Sequence, residues 1–293
     1  MNLSLSRSFP IAKAALVAVV IACAVVLTCG LAGCASNAAD SDSSATDGNA
    51  TGEKTLRVAM ELAYPPFETK DDAGNPEGLA VDFIRDFGAA YGYDVQIENT
   101  AWDGLIPSLQ SDKADLVISS MTITDERKQS VDFSDAYAMA QLAILANADS
   151  GVASIDDLNQ PAKKVAVKTG STGDVYATKN LTNAEIVRLA DESACVTEVV
   201  QGKADGFLYD QLTIYRNHQA NPDTTEAVFI PFQDAEEWGI AVKKGNTELL
   251  DQLNAFIAQS KTDGEFDRLT EKYLSEEKKA FDQYGFKWFF DFE

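Results

Sequence analysis

The residues best suited to chemistry lie in the segment ISSMTITDERKQSVDFS, residues 118–134. Hydroxyl side chains crowd its first half, and two acids and an arginine follow at once: Ser119, Ser120, Thr122, Thr124, Asp125, Glu126 and Arg127. A helix start exposes unpaired backbone N–H groups and the positive end of the helix dipole. A guanidinium group can bind a carboxylate through two parallel hydrogen bonds. The segment therefore predicts an anion site that includes Arg127. A capped helix followed by an ordinary surface arginine explains the same residues equally well.

A second candidate is the acid Asp210, which ends the apolar stretch GFLYD. Such an acid either caps the helix that follows or accepts a cation, and for an isolated acid the cap is the commoner role. An anion site and a carboxylate on facing loops would together suit a small molecule that carries both charges. An α-amino acid is such a molecule.

Aromatic side chains lie close in sequence to these candidates, at Tyr64, Phe67 and Trp102. Core packing is a sufficient explanation for any one of them. The stretch AYPPF is more specific, because two consecutive prolines fix the loop and present the flanking rings rigidly.

Alternating strands and helices must position these groups. The predicted strands are TLRVAM, YDVQIE, ADLVISS, AILAN, KKVAVK, EIVRLA, ADGFLYD and AVFIPF. The predicted helices are GLAVDFIRDFGAAYG ended by Gly92, WDGLIPSLQ capped by Asp103, a helix capped by Thr124, TGSTGDVYATKN, DESACVTEVVQG, QLTIYRNHQ, and NTELLDQLNAFIAQSKTDG stopped by Gly264. This order predicts an α/β fold with mainly parallel sheets and, because the pattern restarts at KKVAVK, two lobes.

In such sheets ligands bind beyond the carboxyl ends of the strands. The segments that lie there are 61–67, 119–127 and 169–173, together with Asp210. The candidate groups are therefore predicted to meet at one edge.

The charge balance bounds the partners. The chain of 293 residues has 24 Lys and Arg against 46 Asp and Glu, a net charge of −22. Nucleic acid and anionic lipid surfaces would repel such a chain, so neither is a predicted partner. With one histidine and no cluster of Cys and His, the sequence predicts no metal site and no cofactor.

The first 33 residues have the pattern of a secretory signal, with Arg7 and Lys13 ahead of an apolar run at 14–27. The run is short for a transmembrane anchor, and no basic flank follows it. The stretch LAGC resembles a bacterial lipobox, which implies that Cys34 becomes the mature N-terminus and carries a lipid. Residues 34–53 are rich in Ser, Asp, Ala and Gly and predict a flexible tether. Cys195 then has no partner and is predicted to be a core residue.

Several ordered motifs resemble a known family: MELAYPPFE, GLAVDF, WDGLIPSL, SSMTITDERKQSVDFSDAY, VAVKTGSTGD, QGKADGFLYDQ and WGIAVKKGN. They are similar, over about Thr55 to Leu274, to the amino-acid-binding proteins of ABC importers, the extracellular solute-binding proteins of family 3. TITDER is especially close to glutamine-binding members. The resemblance implies a type II periplasmic-binding-protein fold with a hinged cleft between lobe 1 (54–138 plus 239–293) and lobe 2 (139–238). The two chain crossings fall near 138–141 and 234–239.

The resemblance also implies roles for single residues. Arg127 corresponds to the arginine that binds the ligand α-carboxylate, Ser120 and Thr122 to its loop donors, and Thr172 to a donor from the second lobe. Asp210 corresponds to the acid that holds the α-ammonium group.

The side-chain pocket is less settled by the resemblance. Tyr64 and Trp102 correspond to its aromatic walls, and Glu61 and Lys168 to groups that contact the ligand side chain. An acid beside a base suits an amide, which favours a neutral, glutamine-like ligand. If Lys168 turns outward, Glu61 alone would favour arginine, lysine or histidine.

The family implies a monomeric receptor, not an enzyme, that delivers an amino acid to an ABC permease and its ATPase. It would be held by its lipid at the outer face of the bacterial cytoplasmic membrane, or lie in the periplasm. Two other classes remain open. Some members of this fold are cyclohexadienyl dehydratases acting on prephenate or arogenate. The sequence has no additional acid at these loops that ligand recognition does not explain. A surface adhesin or sensory domain without a transport partner is the other.

Overall fold

The computed structural model of the chain describes residues 54–284 and 287–292. The predicted signal segment, Cys34 and the predicted tether lie outside these residues. Within the described part of the chain, no helix combines the length and the apolar character needed to cross a bilayer.

Strands and helices alternate over most of the described chain, as the sequence predicts, but some strands follow one another directly. The strands are β1 (Lys54–Met60), β2 (Thr69–Lys70), β3 (Pro76–Glu77), β4 (Tyr93–Asn99), β5 (Leu116–Val117), β6 (Val131–Phe133), β7 (Ala138–Ala140), β8 (Leu142–Asn147), β9 (Lys164–Lys168), β10 (Glu185–Leu189), β11 (Gly206–Asp210), β12 (Thr225–Val228), β13 (Glu236–Trp238) and β14 (Ala241–Lys243). The α-helices are α1 (Leu79–Tyr91), α2 (Leu105–Gln110), α3 (Asp125–Lys128), α4 (Ile155–Leu158), α5 (Thr172–Asn180), α6 (Glu192–Val200), α7 (Gln211–Ala220), α8 (Thr247–Ser260), α9 (Glu265–Tyr273) and α10 (Ser275–Tyr284). Short 3₁₀ helices cover Trp102–Gly104 and Ala148–Ser150.

Two five-stranded sheets form the two lobes. The first has the strand order β4-β1-β5-β14-β6, and the second has the order β10-β9-β11-β8-β12. The predicted two-lobed α/β architecture is therefore confirmed.

The prediction of mainly parallel sheets is wrong. β1 pairs in parallel with β4 and β5, but β14 pairs antiparallel with β5 and β6. In the second sheet β9 pairs in parallel with β10 and β11, but β8 pairs antiparallel with β11 and β12. β8 and β14 are the strands by which the chain enters each sheet after passing from the other sheet through β7 and β13, and both run opposite to their neighbours.

The chain passes between the two sheets twice, and the two passages pair with each other. β7 precedes β8 of the second sheet, and β13 precedes β14 of the first. They form a two-stranded antiparallel ribbon in which Glu236 lies opposite Ala140 and Trp238 opposite Ala138. Among residues 54–284 and 287–292, this ribbon is the one strand pairing between the two passages, so it is where a hinge would bend.

The aromatic C-terminal tail packs into the first lobe. Phe289 is fully buried, and its ring centroid lies 5.1 Å from that of Phe67 and 5.5 Å from that of Trp238. Its carbonyl oxygen accepts a hydrogen bond of 2.6 Å from the backbone N–H of Met139 in the ribbon. The tail therefore braces one strand of the ribbon against the core.

Helix ends and caps are predicted correctly where residues close together in the chain determine them. Gly92 ends α1 in the left-handed conformation, with φ 73°, and the side chain of Thr124 accepts from the backbone N–H of Arg127 as the cap of α3. Cys195 is fully buried in α6, as predicted.

Asp103 is not a cap, because it lies within the 3₁₀ turn and its side chain makes no cap hydrogen bond. Gly264 is the N-cap of α9 and does not stop α8, which already ends at Ser260.

Candidate ligand-binding site

The structure brings eight of the nine predicted site residues to one cavity. These are Glu61, Tyr64, Trp102, Ser120, Thr122, Arg127, Thr172 and Asp210. The ninth, Lys168, lies beside the cavity, where its Nζ forms an ion pair with Glu61. Glu61 follows β1 and the segment that includes Ser120 follows β5, whereas Thr172 follows β9 and Asp210 ends β11. The strand ends of both sheets therefore face a common space.

Arg127 is partly buried and binds across the cavity. Its Nη1 donates to the backbone oxygen of Thr122 at 2.7 Å, and its Nη2 donates to the backbone oxygen of Gly170, from the second lobe, at 3.1 Å. Its guanidinium carbon lies 5.2 Å from the ring centroid of Trp102. Burial lowers the pKa of Arg127, and the nearby carboxylate of Glu236 opposes that shift. No described residue accepts from the remaining N–H groups of Arg127. Arg127 is therefore held at the cavity by backbone oxygens that follow strands of both sheets.

Asp210 fulfils the helix-cap role and still keeps one oxygen available. Its Oδ1 accepts from the hydroxyl of Tyr64 at 2.7 Å and from the backbone N–H groups of Leu212 and Thr213 at 2.9 and 3.1 Å. Its Oδ2 is buried and has no hydrogen-bond partner among the described residues. Burial raises the pKa of Asp210. A cationic partner would offset the cost of ionising such a carboxyl group.

Glu61 and Lys168 form an ion pair over an aromatic face. The Nζ of Lys168 lies 5.2 Å from the ring centroid of Trp102, within cation–π range. The backbone N–H of Trp102 donates to the Oε1 of Glu61 at 3.3 Å. Lys168 is 3 % exposed. It therefore does not turn outward, and it largely neutralises Glu61.

Tyr64 stands within an aromatic group at the cavity wall. Its ring stacks on Phe67 at a centroid distance of 5.5 Å and meets Trp238 edge-on at 5.9 Å. Because its hydroxyl also donates to Asp210 of the second lobe, Tyr64 connects the packed core of the first lobe to the cleft.

Sequence reasoning missed two acids that line the cavity. Glu68 is 1 % exposed and accepts a 3.2 Å hydrogen bond from the hydroxyl of Ser120. Burial raises its pKa well above the usual range. Glu236, in the ribbon, accepts hydrogen bonds through its Oε2 from the hydroxyls of Thr122 and Thr172, each at 2.8 Å. Neither acid lies within the segments 61–67, 119–127 and 169–173 that the sequence singles out.

A sequence signal for these acids was weak. Glu68 is part of the motif MELAYPPFE but has no partner nearby in sequence. Glu236 has an acidic neighbour, Glu237, and only the pairing of the ribbon decides which of the two faces the cleft. Trp238 faces the same way as Glu236, since side chains two residues apart share a face of a strand.

The walls of the cavity touch one another. The space between them is only about 40 Å³, close to the volume of one water molecule. The contacts that bring the walls together all join different segments of the chain: Tyr64 with Asp210, Glu61 with Lys168, Arg127 with Gly170, and Thr122 and Thr172 with Glu236. An amino acid can enter only if the walls separate.

Comparisons with known proteins agree with this arrangement. A family model described as bacterial extracellular solute-binding proteins, family 3, matches residues 56–276. A probable histidine-binding protein of Neisseria gonorrhoeae is 35% identical over 76% of this chain and 84% of its own length. The ABC transporter glutamine-binding protein GlnH of Bacillus subtilis is 30% identical over 70% of this chain and 75% of its own length.

A solved structure extends the similarity to three dimensions. The crystal structure of AncCDT-1, an ancestral amino-acid-binding protein described as a precursor of cyclohexadienyl dehydratase, superposes with a TM-score of 0.69. It is 38% identical, and the match covers 75% of this chain and 94% of that one. The chain thus belongs to the bacterial extracellular solute-binding proteins of family 3.

Proposed function

We propose that the protein is an extracellular receptor that binds an L-α-amino acid and delivers it to an ABC importer. The observation that carries this proposal is the pairing of two incomplete polar groups in one cavity. Arg127, from the first lobe, has guanidinium N–H groups that donate to no described residue. Asp210, from the second lobe, has a buried carboxylate oxygen with no hydrogen-bond partner among the described residues. An α-carboxylate would complete the first group and an α-ammonium the second.

Binding would proceed in two steps. The ligand carboxylate first meets Arg127, Ser120 and Thr122 on the first lobe, and closure then brings Thr172 and Asp210 onto it. Only the closed form has contacts from both lobes, so the ligand shifts the population toward closure. The permease would recognise the closed form. The proposed lobes are 54–138 plus 239–293 and 139–238, joined at the ribbon.

The charges around the cavity favour a basic side chain over a glutamine-like one. Glu61 forms an ion pair with Lys168, and Asp210 would pair with the α-ammonium group of the ligand. Glu68 forms no ion pair with any described cation. A second positive charge on the ligand would stabilise the ionised form of this buried acid. The histidine-binding relative points to the same class. The glutamine-binding relative supports the neutral alternative, in which the Glu61–Lys168 pair binds a side-chain amide.

A thermal-shift screen of the twenty amino acids tests the ligand class, because a ligand of the folded state raises its melting temperature. We expect arginine, lysine or histidine to give the largest increase. A largest shift with glutamine would establish the neutral alternative instead. No shift with any amino acid would contradict the receptor function.

The membrane attachment is a separate proposal. Cys34 would carry the lipid, which would hold the receptor at the outer face of the cytoplasmic membrane. Expression in a bacterium followed by mass spectrometry of the N-terminal peptide tests it. We expect an acylated cysteine at the mature N-terminus and release of the Cys34→Ala variant into the soluble fraction. An unmodified N-terminus upstream of Cys34 would contradict it.

The two acids that sequence reasoning missed make the enzyme alternative worth a direct assay. A dehydratase needs an acid near the leaving group, and Glu68 and Glu236 both line the cavity. We expect no change in ultraviolet absorbance when the protein is incubated with prephenate or arogenate. Turnover of either substrate that is lost in Glu68→Gln would replace the receptor function by catalysis. The genomic neighbours discriminate the adhesin or sensory alternative, since a receptor of this kind is expected beside permease and ATPase genes.

A further inference from the structure

Glu236 places a carboxylate of the protein itself between two hydroxyls of the binding site. Its Oε2 accepts from Thr122 Oγ1 and from Thr172 Oγ1, at 2.8 Å in both cases. Its Oε1 accepts from the side-chain amide of Gln233 at 2.7 Å. Of the two threonines, one follows β5 of the first sheet and the other begins α5 on the second. A single oxygen atom therefore connects the two lobes.

The hydroxyls that Glu236 occupies are those proposed for the ligand. A threonine hydroxyl has one proton to donate, so while Thr122 and Thr172 donate to Glu236 they cannot donate to a ligand carboxylate. The charge of Glu236 also acts on Arg127 and favours its protonated form. Glu236 thus supplies to these donors the same chemical group that an amino acid would bring.

The position of Glu236 in the ribbon connects this contact to hinge motion. Its backbone pairs with Ala140 in β7, and the neighbouring Trp238 forms a β-bridge with Thr122. A change in the ribbon that separates the lobes would therefore carry Glu236 away from at least one of its threonines. The cavity volume of about 40 Å³ requires some such separation before an amino acid binds between the walls.

We propose that Glu236 is a built-in competitor of the ligand carboxylate, which holds the two lobes together through Thr122 and Thr172 until a ligand displaces it. The competition with ligand rests on the proposed function, whereas the connection between the lobes does not. Closure without ligand would lower the apparent affinity, because only the fraction of protein that is competent to bind takes up ligand.

Glu236→Gln is the variant that tests the proposal, since the amide keeps the size of the side chain but removes its charge. Glu237→Gln is the matched control. It makes the same chemical change one residue away, at an exposed side chain that has no hydrogen bond to Thr122 or Thr172. Urea denaturation of both variants verifies that each is folded.

The first measurement needs no ligand. The chain has three tryptophans, of which Trp238 and Trp288 are 3 % and 4 % exposed, so acrylamide quenching of their fluorescence reports mainly on Trp102 at the cleft. This measurement uses Glu236→Ala, with Glu237→Ala as its control, because an amide oxygen at position 236 could still accept from both threonines. We expect Glu236→Ala, freed of amino acids by dialysis under denaturing conditions and refolded, to be quenched more strongly than wild type and Glu237→Ala. Equal quenching of all three proteins would overturn the connection between the lobes.

The second measurement is a calorimetric titration with L-arginine and with agmatine, which is arginine without its carboxylate. Glu236→Gln should bind L-arginine about tenfold more tightly than wild type, equivalent to about 1.4 kcal/mol, and should leave any agmatine binding unchanged. Weaker binding of both compounds would mean that Glu236 recognises the ligand cation, which contradicts competition. If L-arginine binds neither protein, the proposed ligand class is wrong, and the quenching experiment still decides the role of Glu236 in holding the lobes together.

Discussion

Replacing Asp210 by asparagine separates the two roles that this side chain combines. Its Oδ1 caps α7 and accepts from Tyr64, while its buried Oδ2 has no partner among the described residues. Asparagine is as good a helix cap as aspartate, and its amide oxygen can still accept the hydrogen bond from Tyr64. It has no negative charge with which to bind an α-ammonium group. The variant should therefore fold normally and bind poorly.

The size of the binding defect follows from the burial of the carboxylate. Removing one partner of a buried, hydrogen-bonded charge pair costs about 2–5 kcal/mol, which corresponds to a Kd about 30- to several-thousand-fold higher. The free energy of unfolding should not fall at neutral pH. Burial raises the pKa of Asp210, so folding penalises the ionised carboxyl, and the neutral amide avoids that penalty.

Calorimetric titration with the amino acid found by thermal shift, together with urea denaturation, measures both quantities. Asp210→Ala is the matched control, because it removes the charge and the cap and should lose about 1 kcal/mol of stability in addition. Undiminished binding by Asp210→Asn would refute the assignment of the ammonium site. A loss of stability in Asp210→Asn as large as that in the alanine variant would refute the separation of the two roles.

Four further changes test other contacts. Arg127→Ala should raise the Kd about 30- to several-thousand-fold, and calorimetry showing full-strength binding would contradict its role. Lys168→Met should destabilise the protein by about 3 kcal/mol, because it leaves the Glu61 carboxylate without its ion-pair partner. Adding Glu61→Gln should restore most of the lost stability, as measured by urea denaturation. Burial raises the pKa of Glu192 to about 8, so the folded protein keeps a proton that the unfolded chain releases. Wild type should then lose stability as the pH rises from about 4.5 to 8, and Glu192→Gln should not; parallel curves would disprove the shift. Phe289→Ala should cost about 3–5 kcal/mol by leaving a cavity under the ribbon, and an unchanged urea midpoint would rule out its bracing role.

The features that the sequence predicts correctly are those that depend on residues close together in the chain. Thr124 caps α3 and Gly92 ends α1 because side-chain hydrogen bonding and a left-handed backbone are local properties. The prediction that Arg127 and Asp210 meet at one edge came from the general rule for α/β sheets, and the structure brings both to one cavity.

Long-range pairing decided the remainder. The antiparallel direction of β8 and β14 depends on how the chain returns through the ribbon, which no single stretch of sequence specifies. In the sequence, Glu68 and Glu236 cannot be distinguished from acids on the surface. Packing between distant segments buries Glu68 and directs Glu236 toward Thr122 and Thr172. The sequence could not decide whether Asp210 caps a helix or binds a cation. In the structure, one carboxylate oxygen of Asp210 caps α7 and the other has no partner among the described residues.

The most direct test is a crystal structure of the protein grown with the amino acid that raises its melting temperature most. The proposed function requires the ligand carboxylate to bind the guanidinium group of Arg127, and the ligand ammonium to lie within hydrogen-bond distance of the Oδ2 of Asp210. A ligand bound in this cavity with neither contact would contradict it.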